Sequence, residues 1–204
     1  MNKFFLLLIL FVASWTATQA QITAPAKAES EEYAYAKYLE PLPEEPDGHV
    51  YIERVLTLPG EVNADETFAK MKEWVERCMK DERILQYNPV ETDEPYTVCK
   101  SVHQDLIFSQ ALLATDRADF SFCLELKLDG NKMIFRMKRM SYRYNGDNPD
   151  RKMLRRSAED YIADKVAINK KKTKLIFGYR KFRVKTIDLA DEYAESLKLA
   201  FWAK

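Results

Sequence analysis

The residues most able to do chemistry in this sequence are the cations of one run near the C-terminus. From Lys165 to Lys185 the chain carries nine lysines and arginines and no acid, interleaved with Phe177, Tyr179 and Phe182. Concentrated positive charge attracts anionic partners such as lipid headgroups, acidic glycans or an acidic protein patch. The alternative is a solvated connection that neutralises acids elsewhere in the chain. The predicted electrostatic footprint comprises Lys170, Lys171, Lys172, Lys174, Arg180, Lys181 and Arg183.

Catalytic chemistry has weaker support. The two histidines, His49 and His103, lack the H-x-x-x-H or H-E-x-x-H spacing of a metal site on a helix. No serine lies in a G-x-S-x-G motif, and five glycines are too few for a phosphate-binding loop. His103 with Asp105 is the best available general-base pair for a hydrolase. We therefore predict no catalytic residue, no metal site and no cofactor, and keep an enzyme as the alternative.

The three cysteines, Cys78, Cys99 and Cys123, are an odd number. In an oxidising compartment at least one of them is free or bonded to another chain, and their spacing excludes a C-x-x-C redox motif. Buried small apolar side chains are the favoured interpretation. A bridge between Cys99 and Cys123 remains the alternative, because both residues lie on predicted strands.

The first 20 residues are typical of a secretory signal peptide. Lys3 precedes an apolar run from Phe4 to Ala13, and small and polar residues then lead to Ala20. The apolar run is shorter than the ~20 residues that a membrane-spanning helix needs. We therefore predict cleavage after Ala20 and a periplasmic or secreted product without a transmembrane segment.

The rest of the chain predicts one linker and one domain. Residues 21–47 are acidic and contain four prolines, which is typical of a flexible linker. Residues 48–204 are enough for a single domain with a hydrophobic core. The 32 basic and 32 acidic residues balance, so the overall charge does not indicate a nucleic-acid partner.

The domain begins with a predicted strand and a capped helix. The β-branched run "HVYIERVLTL" ends at Pro59-Gly60, and Asn63 followed by Glu66 forms a capping-box pattern. Apolar residues then recur at helical spacing and predict a buried stripe. The stripe consists of Phe68, Met71, Trp74, Val75, Cys78 and Met79.

Four extended segments follow: "RILQYN", "YTVCKSV", "DLIFSQALL" and "DFSFCLELKL". Asp129-Gly130 predicts a tight hairpin turn in which Leu128 opposes Asn131. The same register places Leu126 opposite Met133, Leu124 opposite Phe135 and Phe122 opposite Met137. The opposite side of the next strand should carry Arg136, Lys138, Tyr142 and Tyr144.

Two helices are predicted after the break at "GDNPDRK". Ser157 and Asp160 cap a short helix with Tyr161, Ile162, Val166 and Ile168, and Thr186 or Asp188 caps the last helix. One face of the last helix should carry Leu189, Tyr193, Leu197, Ala200 and Phe201.

The order of elements predicts an α+β fold in which helices cover the apolar face of a curved antiparallel sheet. The motifs "LPG" before a helix with "EWV", then "SYRYN", "SAEDYIAD", "NKKKTKL" and "KFRVKTID", resemble a family of exported Bacteroidetes proteins of unknown function. The resemblance covers residues 48–203. It implies a TATA-binding-protein-like fold with β-α-β4-α topology, and it carries over no activity and no catalytic residues.

The predicted function is a non-enzymatic binding or interaction module of the cell envelope. The alternatives are an envelope hydrolase with its site in the sheet concavity and a structural accessory to another envelope protein. The expected partner is an envelope protein or an anionic glycan or lipid. Nucleic acid is not expected, because it is scarce outside the cytoplasm and a fold name does not imply function.

Overall fold

A computed structural model of the chain describes residues 35–110, 115–144 and 154–202. The predicted signal peptide, the linker up to residue 34 and the predicted break at 146–152 lie outside these residues. The chain divides into two compact units, one ending at Glu40 and the other beginning at Pro41. In the described part of the first unit, a 3-10 turn spans Lys37–Leu39, and the rings of Tyr35 and Tyr38 meet edge to face.

The second unit is a curved antiparallel sheet with helices on one side. Its described strands run in the order β1-β5-β4-β3-β2, and β6 also pairs with β5. The strands are β1 (Ile52–Thr57), β2 (Ile84–Val90), β3 (Thr97–Gln110), β4 (Thr115–Asp129), β5 (Lys132–Tyr144) and β6 (Leu154–Ser157). The helices are α1 (Ala64–Cys78), α2 (Asp164–Ala167) and α3 (Phe177–Trp202), and a 3-10 turn spans Ala158–Asp160. The predicted α+β architecture and its β-α-β4-α order are confirmed, with β6 and α2 added.

Helix α1 forms where its sequence predicts it. The Asn63 Oδ1 atom accepts hydrogen bonds from the backbone N–H groups of Asp65 (3.2 Å) and Glu66 (3.3 Å), which satisfies two donors at the helix start. The apolar stripe buries Met71, Trp74, Val75 and Met79. Phe68 and Cys78, at the margins of the stripe, remain half-buried.

The hairpin between β4 and β5 forms as expected, but its predicted register is wrong. Asp129 pairs with Lys132, so Gly130 and Asn131 are the central residues of the turn, and Gly130 has a φ of +59°. The observed register pairs Leu128 with Met133, Leu126 with Phe135 and Leu124 with Met137. This register differs from the predicted one by two residues, which leaves every side chain on the same face. The burial pattern therefore could not distinguish the two registers.

Two glycines should respond oppositely to substitution with alanine. At both Gly130 and Gly178 a Cβ atom would meet nothing within 4 Å, so steric clash does not contribute. Gly130→Ala should destabilise the protein by about 1 kcal/mol, because an L side chain is disfavoured in the left-handed region. Gly178→Ala, within helix α3, should stabilise it by about 0.5 kcal/mol through helix propensity. Urea unfolding measures both effects. Changes of the same sign in the free energy of unfolding would contradict the left-handed conformation of Gly130 or the helical one of Gly178.

A β-bulge at Arg139 changes which face of the sheet β5 presents to the core. The β4–β5 register shifts between Ser121 and Cys123, and Arg139 opposite has a φ of +52°. Before the bulge the odd-numbered residues of β5 are buried, and after it Met140 and Tyr142 are buried instead. The prediction that Tyr142 lies on the same side as Arg136 and Lys138 is therefore wrong. One extra residue inverts the alternation of a strand.

The segments "YTVCKSV" and "DLIFSQALL" were predicted as separate strands, but residues 97–110 form the single strand β3. Residues 111–113, the end of the predicted second segment, lie outside the described part of the chain. The predicted helix starting at Ser157 is also wrong, because this region forms β6, a 3-10 turn and the four-residue helix α2. Ser157 makes no capping hydrogen bond and pairs with Ser141 of β5 instead.

Helix α3 begins nine residues earlier than the predicted cap at Thr186. Thr186 is buried inside the helix, where its Oγ1 atom donates to the backbone oxygen of Phe182 at 2.7 Å. A buried stripe runs through Phe182, Ile187, Leu189, Tyr193 and Leu197, so helix packing overrides the β-like composition of "GYRKFRVK". No helix within the described ranges combines the length and the apolar composition needed to cross a membrane.

The compact second unit includes residues that the sequence analysis assigned to the linker. The backbone N–H of Tyr51 donates to the Pro43 oxygen at 3.0 Å, and Glu44 forms a β-bridge with Val50. The Glu45 carboxylate lies 3.2 Å from the Lys138 ammonium group. The second compact unit begins at Pro41, and the segment 41–47 satisfies part of its polar groups on this unit.

Candidate functional site

The turn of residues 169–174, called the lysine turn below, connects α2 to α3 and is held by one asparagine. The Asn169 Oδ1 atom accepts hydrogen bonds from the N–H groups of Thr173 (2.9 Å) and Lys174 (3.2 Å). Its Nδ2 atom donates to Thr173 Oγ1 at 3.2 Å, and its backbone N–H donates to the Lys174 oxygen at 2.9 Å. An asparagine that bonds its own turn in this way fixes the backbone. The turn therefore has one defined conformation.

Buried residues anchor both ends of the lysine turn. Ile168 and Leu175 form a β-bridge, and both side chains are buried. The N–H of Ile176 donates to the Ala167 oxygen at 2.8 Å, which joins the exit of the turn to α2. The loop is thus tied to the core while its central residues extend into solvent.

Four members of the predicted footprint lie together on this turn. They are Lys170, Lys171, Lys172 and Lys174, and all four are exposed. In the described part of the chain, no carboxylate forms an ion pair with any of them. Arg180 is also exposed and lies in the first turns of α3. These five cations form the exposed part of the footprint.

The other two predicted members contact neighbouring elements, Lys181 half-buried and Arg183 fully buried. Lys181 Nζ lies 2.7 Å from Asp116 Oδ2 and 4.3 Å from the centre of the Tyr144 ring, so it joins α3 to β4 and β5. Arg183 is fully buried and donates to the Ile162 oxygen and to Asp164 Oδ1. The prediction that Arg183 is exposed is therefore wrong, because helix packing buries it, whereas Lys181 remains partly exposed beside its ion pair with Asp116.

The aromatic residues of the basic run also divide into buried and exposed side chains. Phe182 is 2% exposed, and its ring stacks on Tyr161 with the centres 4.1 Å apart. Phe177, the first residue of α3, is 93% exposed. Sequence spacing grouped these two rings, but only the tertiary structure distinguishes the core ring from the surface ring.

The acids nearest the start of the domain do not neutralise the lysine turn. Glu45 lies 3.2 Å from Lys138, and Asp47 lies 2.7 Å from Arg139. These contacts involve β5, on the side of the sheet that faces away from the helices. The part of the acidic segment within the second unit therefore compensates cations of the sheet.

The face of the sheet away from the helices, called the open face, holds the predicted hydrolase residues. His103 Nε2 lies 3.0 Å from Ser121 Oγ, because these residues are direct cross-strand partners on β3 and β4. Asp105 instead accepts a hydrogen bond from Arg117 at 3.1 Å. No sequence motif pointed to Ser121, because it is 18 residues from His103 and becomes its neighbour only through strand pairing.

The second histidine has a structural role. His49 Nδ1 lies 3.3 Å from Glu159 Oε1, and the same carboxylate oxygen accepts a hydrogen bond from the Val50 N–H at 2.8 Å. Glu159 thus fastens the start of the domain to the 3-10 turn. Among residues 35–110, 115–144 and 154–202, no group of three or more His, Cys, Asp or Glu side chains is placed to hold a metal ion.

Cys99 and Cys123 lie on the open face as diagonal neighbours. Cys99 pairs with Glu125 and Cys123 with Ser101, so the two cysteines are not directly opposite each other. Diagonal positions are ~7 to 8 Å apart, which is too far for an unstrained disulfide. All three cysteines are free thiols. The hydrogen bond with Cys99 lowers the pKa of the Cys123 thiol.

Alkylation should separate the cysteines of the native protein. Burial raises the pKa of the Cys78 thiol to about 12, whereas the Cys123 pKa lies below its ordinary value. Because the thiolate is the nucleophile, iodoacetamide at pH 8 should label Cys123 before Cys78. Peptide mapping by mass spectrometry measures the order. Cys99→Ala removes the hydrogen bond and should slow labelling at Cys123. Faster labelling of Cys78 than of Cys123 would contradict the pKa order of these two thiols.

Comparison with solved structures agrees with the fold. A DUF4468 family protein from Bacteroides ovatus ATCC 8483 matches with a TM-score of 0.69 and 26% identity, over 80% of this chain and 91% of its own. A TBP-like protein from Parabacteroides distasonis ATCC 8503 matches with a TM-score of 0.59 and 18% identity, over 79% of this chain and 97% of its own. The sequence matches no protein-family model and no curated protein. The resemblance to Bacteroidetes proteins of unknown function with a TATA-binding-protein-like fold is confirmed.

Proposed function

We propose that this chain is a non-enzymatic binding module of the cell envelope that recognises anionic partners through the lysine turn. The observation that carries the proposal is the placement of Lys170, Lys171, Lys172 and Lys174 on one exposed turn with a fixed backbone. The held backbone keeps the four lysines close together, so that a ligand meets several positive charges at once. The absence of acids from residue 165 to residue 185 keeps the local potential positive.

The envelope location rests on the sequence of the N-terminus. Lys3, the apolar run Phe4–Ala13 and the small residues up to Ala20 support export, with cleavage after Ala20. The following acidic, proline-containing residues support a linker between that point and the folded unit at Pro41. A linker would let the module reach a partner while the chain stays close to a surface or a neighbouring protein.

Retention on charged supports tests the binding role. The protein should bind dextran sulfate at low salt, elute at moderate salt and pass through neutral dextran, because surface charge interactions are screened. The variant Lys170→Gln/Lys171→Gln/Lys174→Gln should lose retention. A matched variant, Lys80→Gln/Lys132→Gln/Lys198→Gln, removes three exposed lysines elsewhere and should retain it. Equal retention of the two variants would show that total charge, rather than the turn, is responsible.

A hydrolase remains the second candidate because of one contact. The 3.0 Å distance between His103 Nε2 and Ser121 Oγ is that of a nucleophile and its general base. Ser121 is nearly buried, however, and Asp105 does not orient the histidine because its carboxylate binds Arg117. A screen with ester and glycoside substrates decides between the candidates. Activity that disappears in both Ser121→Ala and His103→Ala would favour the enzyme, and inactivity of the wild type would leave the binding module.

A further inference from the structure

Phe177 is an unusual surface residue. Its side chain is 93% exposed, the highest value for a large apolar side chain in the described ranges, and its neighbour Ile176 is 39% exposed. A phenyl ring in water gains nothing from its surroundings, whereas burial of such a ring is among the larger favourable terms in protein association. A partner that removes the ring from water would therefore gain affinity.

The ring and the lysines belong to one rigid tip. Phe177 follows Lys174 by three residues, so at most about 11 Å of chain separates them. The N–H of Arg180 donates to the Ile176 oxygen at 2.9 Å, which fixes the first turn of α3, while buried Leu175 anchors the segment in between. A broad surface that contacts the lysine turn can therefore also reach Phe177.

The backbone of the turn holds Lys172 in an uncommon conformation. Lys172 has a φ of +55°, a conformation that glycine or asparagine adopts with less strain. A non-glycine residue in this region is uncommon. Here the lysine adds a fourth exposed ammonium group to the turn.

We propose that this tip docks on an anionic lipid bilayer, with the lysines against headgroup phosphates and Phe177 in the interfacial layer. The inference rests on the proposed function and narrows its ligand to a lipid surface. Lysine is a flexible point charge suited to a diffuse array of phosphates, and bilayers attract clusters of such charges. An acidic glycan would satisfy the cations, but it offers no apolar phase to the phenyl ring. Peripheral membrane proteins combine apolar insertion with basic residues in this way.

Vesicle binding tests the proposal with controls from the same helix. The full chain recovered from the cell envelope is mixed with vesicles of phosphatidylcholine alone or with phosphatidylglycerol, and the bound fraction is measured by sedimentation. Binding should require phosphatidylglycerol. The triple lysine variant of the turn should bind roughly a hundredfold more weakly, from about fivefold per lysine. Phe177→Ala should bind about tenfold more weakly.

The control for Phe177 is Leu199, which is 67% exposed near the other end of α3. Leu199→Ala should bind like the wild type, because this residue lies 22 positions beyond Phe177 on the same helix. All variants share the same N-terminal residues, so any lipid affinity of those residues contributes equally to every variant. Equal losses in Phe177→Ala and Leu199→Ala would overturn the assignment of the docking tip.

A depth measurement separates insertion from attachment by charge alone. Tryptophan fluorescence of Phe177→Trp should be quenched by vesicles with brominated acyl chains, and that of Leu199→Trp should not. Both variants retain the native tryptophans, so the difference between them reports the new residue. Vesicle binding without quenching at position 177 would overturn the insertion of the ring.

Different results would refute the lipid inference and the anionic binding module. If dextran sulfate retains the protein through the lysine turn but anionic vesicles do not bind it, the lipid inference is wrong and the anionic binding module stands. If neither support binds the protein, both are wrong. If vesicle binding is lost with the lysines but unchanged in Phe177→Ala, the ligand is a charged surface and the apolar contact is refuted.

Discussion

Trp74→Ala should lower the free energy of unfolding by about 4 kcal/mol, within the ~3 to 5 kcal/mol typical of large aromatic deletions in a core. Trp74 is 1% exposed and lies on the buried face of α1. Its ring meets Tyr193 of α3 edge to face, with the centres 6.3 Å apart. Its Nε1 atom donates to Ser196 Oγ at 3.2 Å. Removing the indole leaves a cavity between the two long helices.

Thermal and urea unfolding of purified protein measure the loss at Trp74. Trp202→Ala is the matched control, because Trp202 ends α3 and is half-buried, and it should cost less than about 1.5 kcal/mol. Trp74→Phe keeps most of the apolar volume but removes the N–H donor, so its cost should lie between the other two. Near-wild-type unfolding of Trp74→Ala would refute the burial of the ring.

Arg183→Met should destabilise the protein by about 3 to 4 kcal/mol, the usual cost of removing one partner of a buried ion pair. Its guanidinium is fully buried and lies 2.8 Å from Asp164 Oδ1. It also donates to the Ile162 oxygen, so α3 is tied to the turn before α2. Burial lowers the pKa of Arg183, because charge is costly away from water, and Asp164 opposes this effect. The methionine would leave a buried carbonyl and a carboxylate with one fewer partner.

Arg180→Met is the control on the same helix. Arg180 is exposed, so the change should cost less than about 1 kcal/mol. The double variant Arg183→Met/Asp164→Asn should be less destabilised than the sum of the single variants, because each single variant already removes the same ion pair. The asparagine amide oxygen can still accept the hydrogen bond from the Leu42 N–H. Strict additivity in urea unfolding would contradict a coupled pair.

Arg183→Met also tests which cations of the basic run stabilise the fold and which bind the ligand. If Arg183 holds the fold and does not contact the ligand, folded Arg183→Met should keep the wild-type affinity for dextran sulfate at low temperature. The triple lysine variant of the turn should show the reverse pattern, with normal unfolding and lost retention. Reduced affinity in folded Arg183→Met would return this residue to the footprint.

The sequence by itself determined the elements that depend on near neighbours. Asn63 caps α1 because its acceptor reaches the N–H groups two and three residues ahead, and that spacing is visible in the chain. The alternating apolar residues around Leu124 and Phe135 identified the hairpin and its buried face. The order of these elements was sufficient to predict the architecture, because helix and strand periodicity are local properties.

Only the tertiary structure decided the features that depend on pairing between distant segments. The register at Gly130 and the bulge at Arg139 follow from strand pairing, and the bulge turns Tyr142 into the core. The proximity of His103 to Ser121 arises because β3 lies beside β4. The separation of exposed lysines from buried Arg183 depends on where α3 begins, and helix packing against the sheet set that start. Such choices are made by contacts between residues far apart in the chain, which a local pattern does not contain.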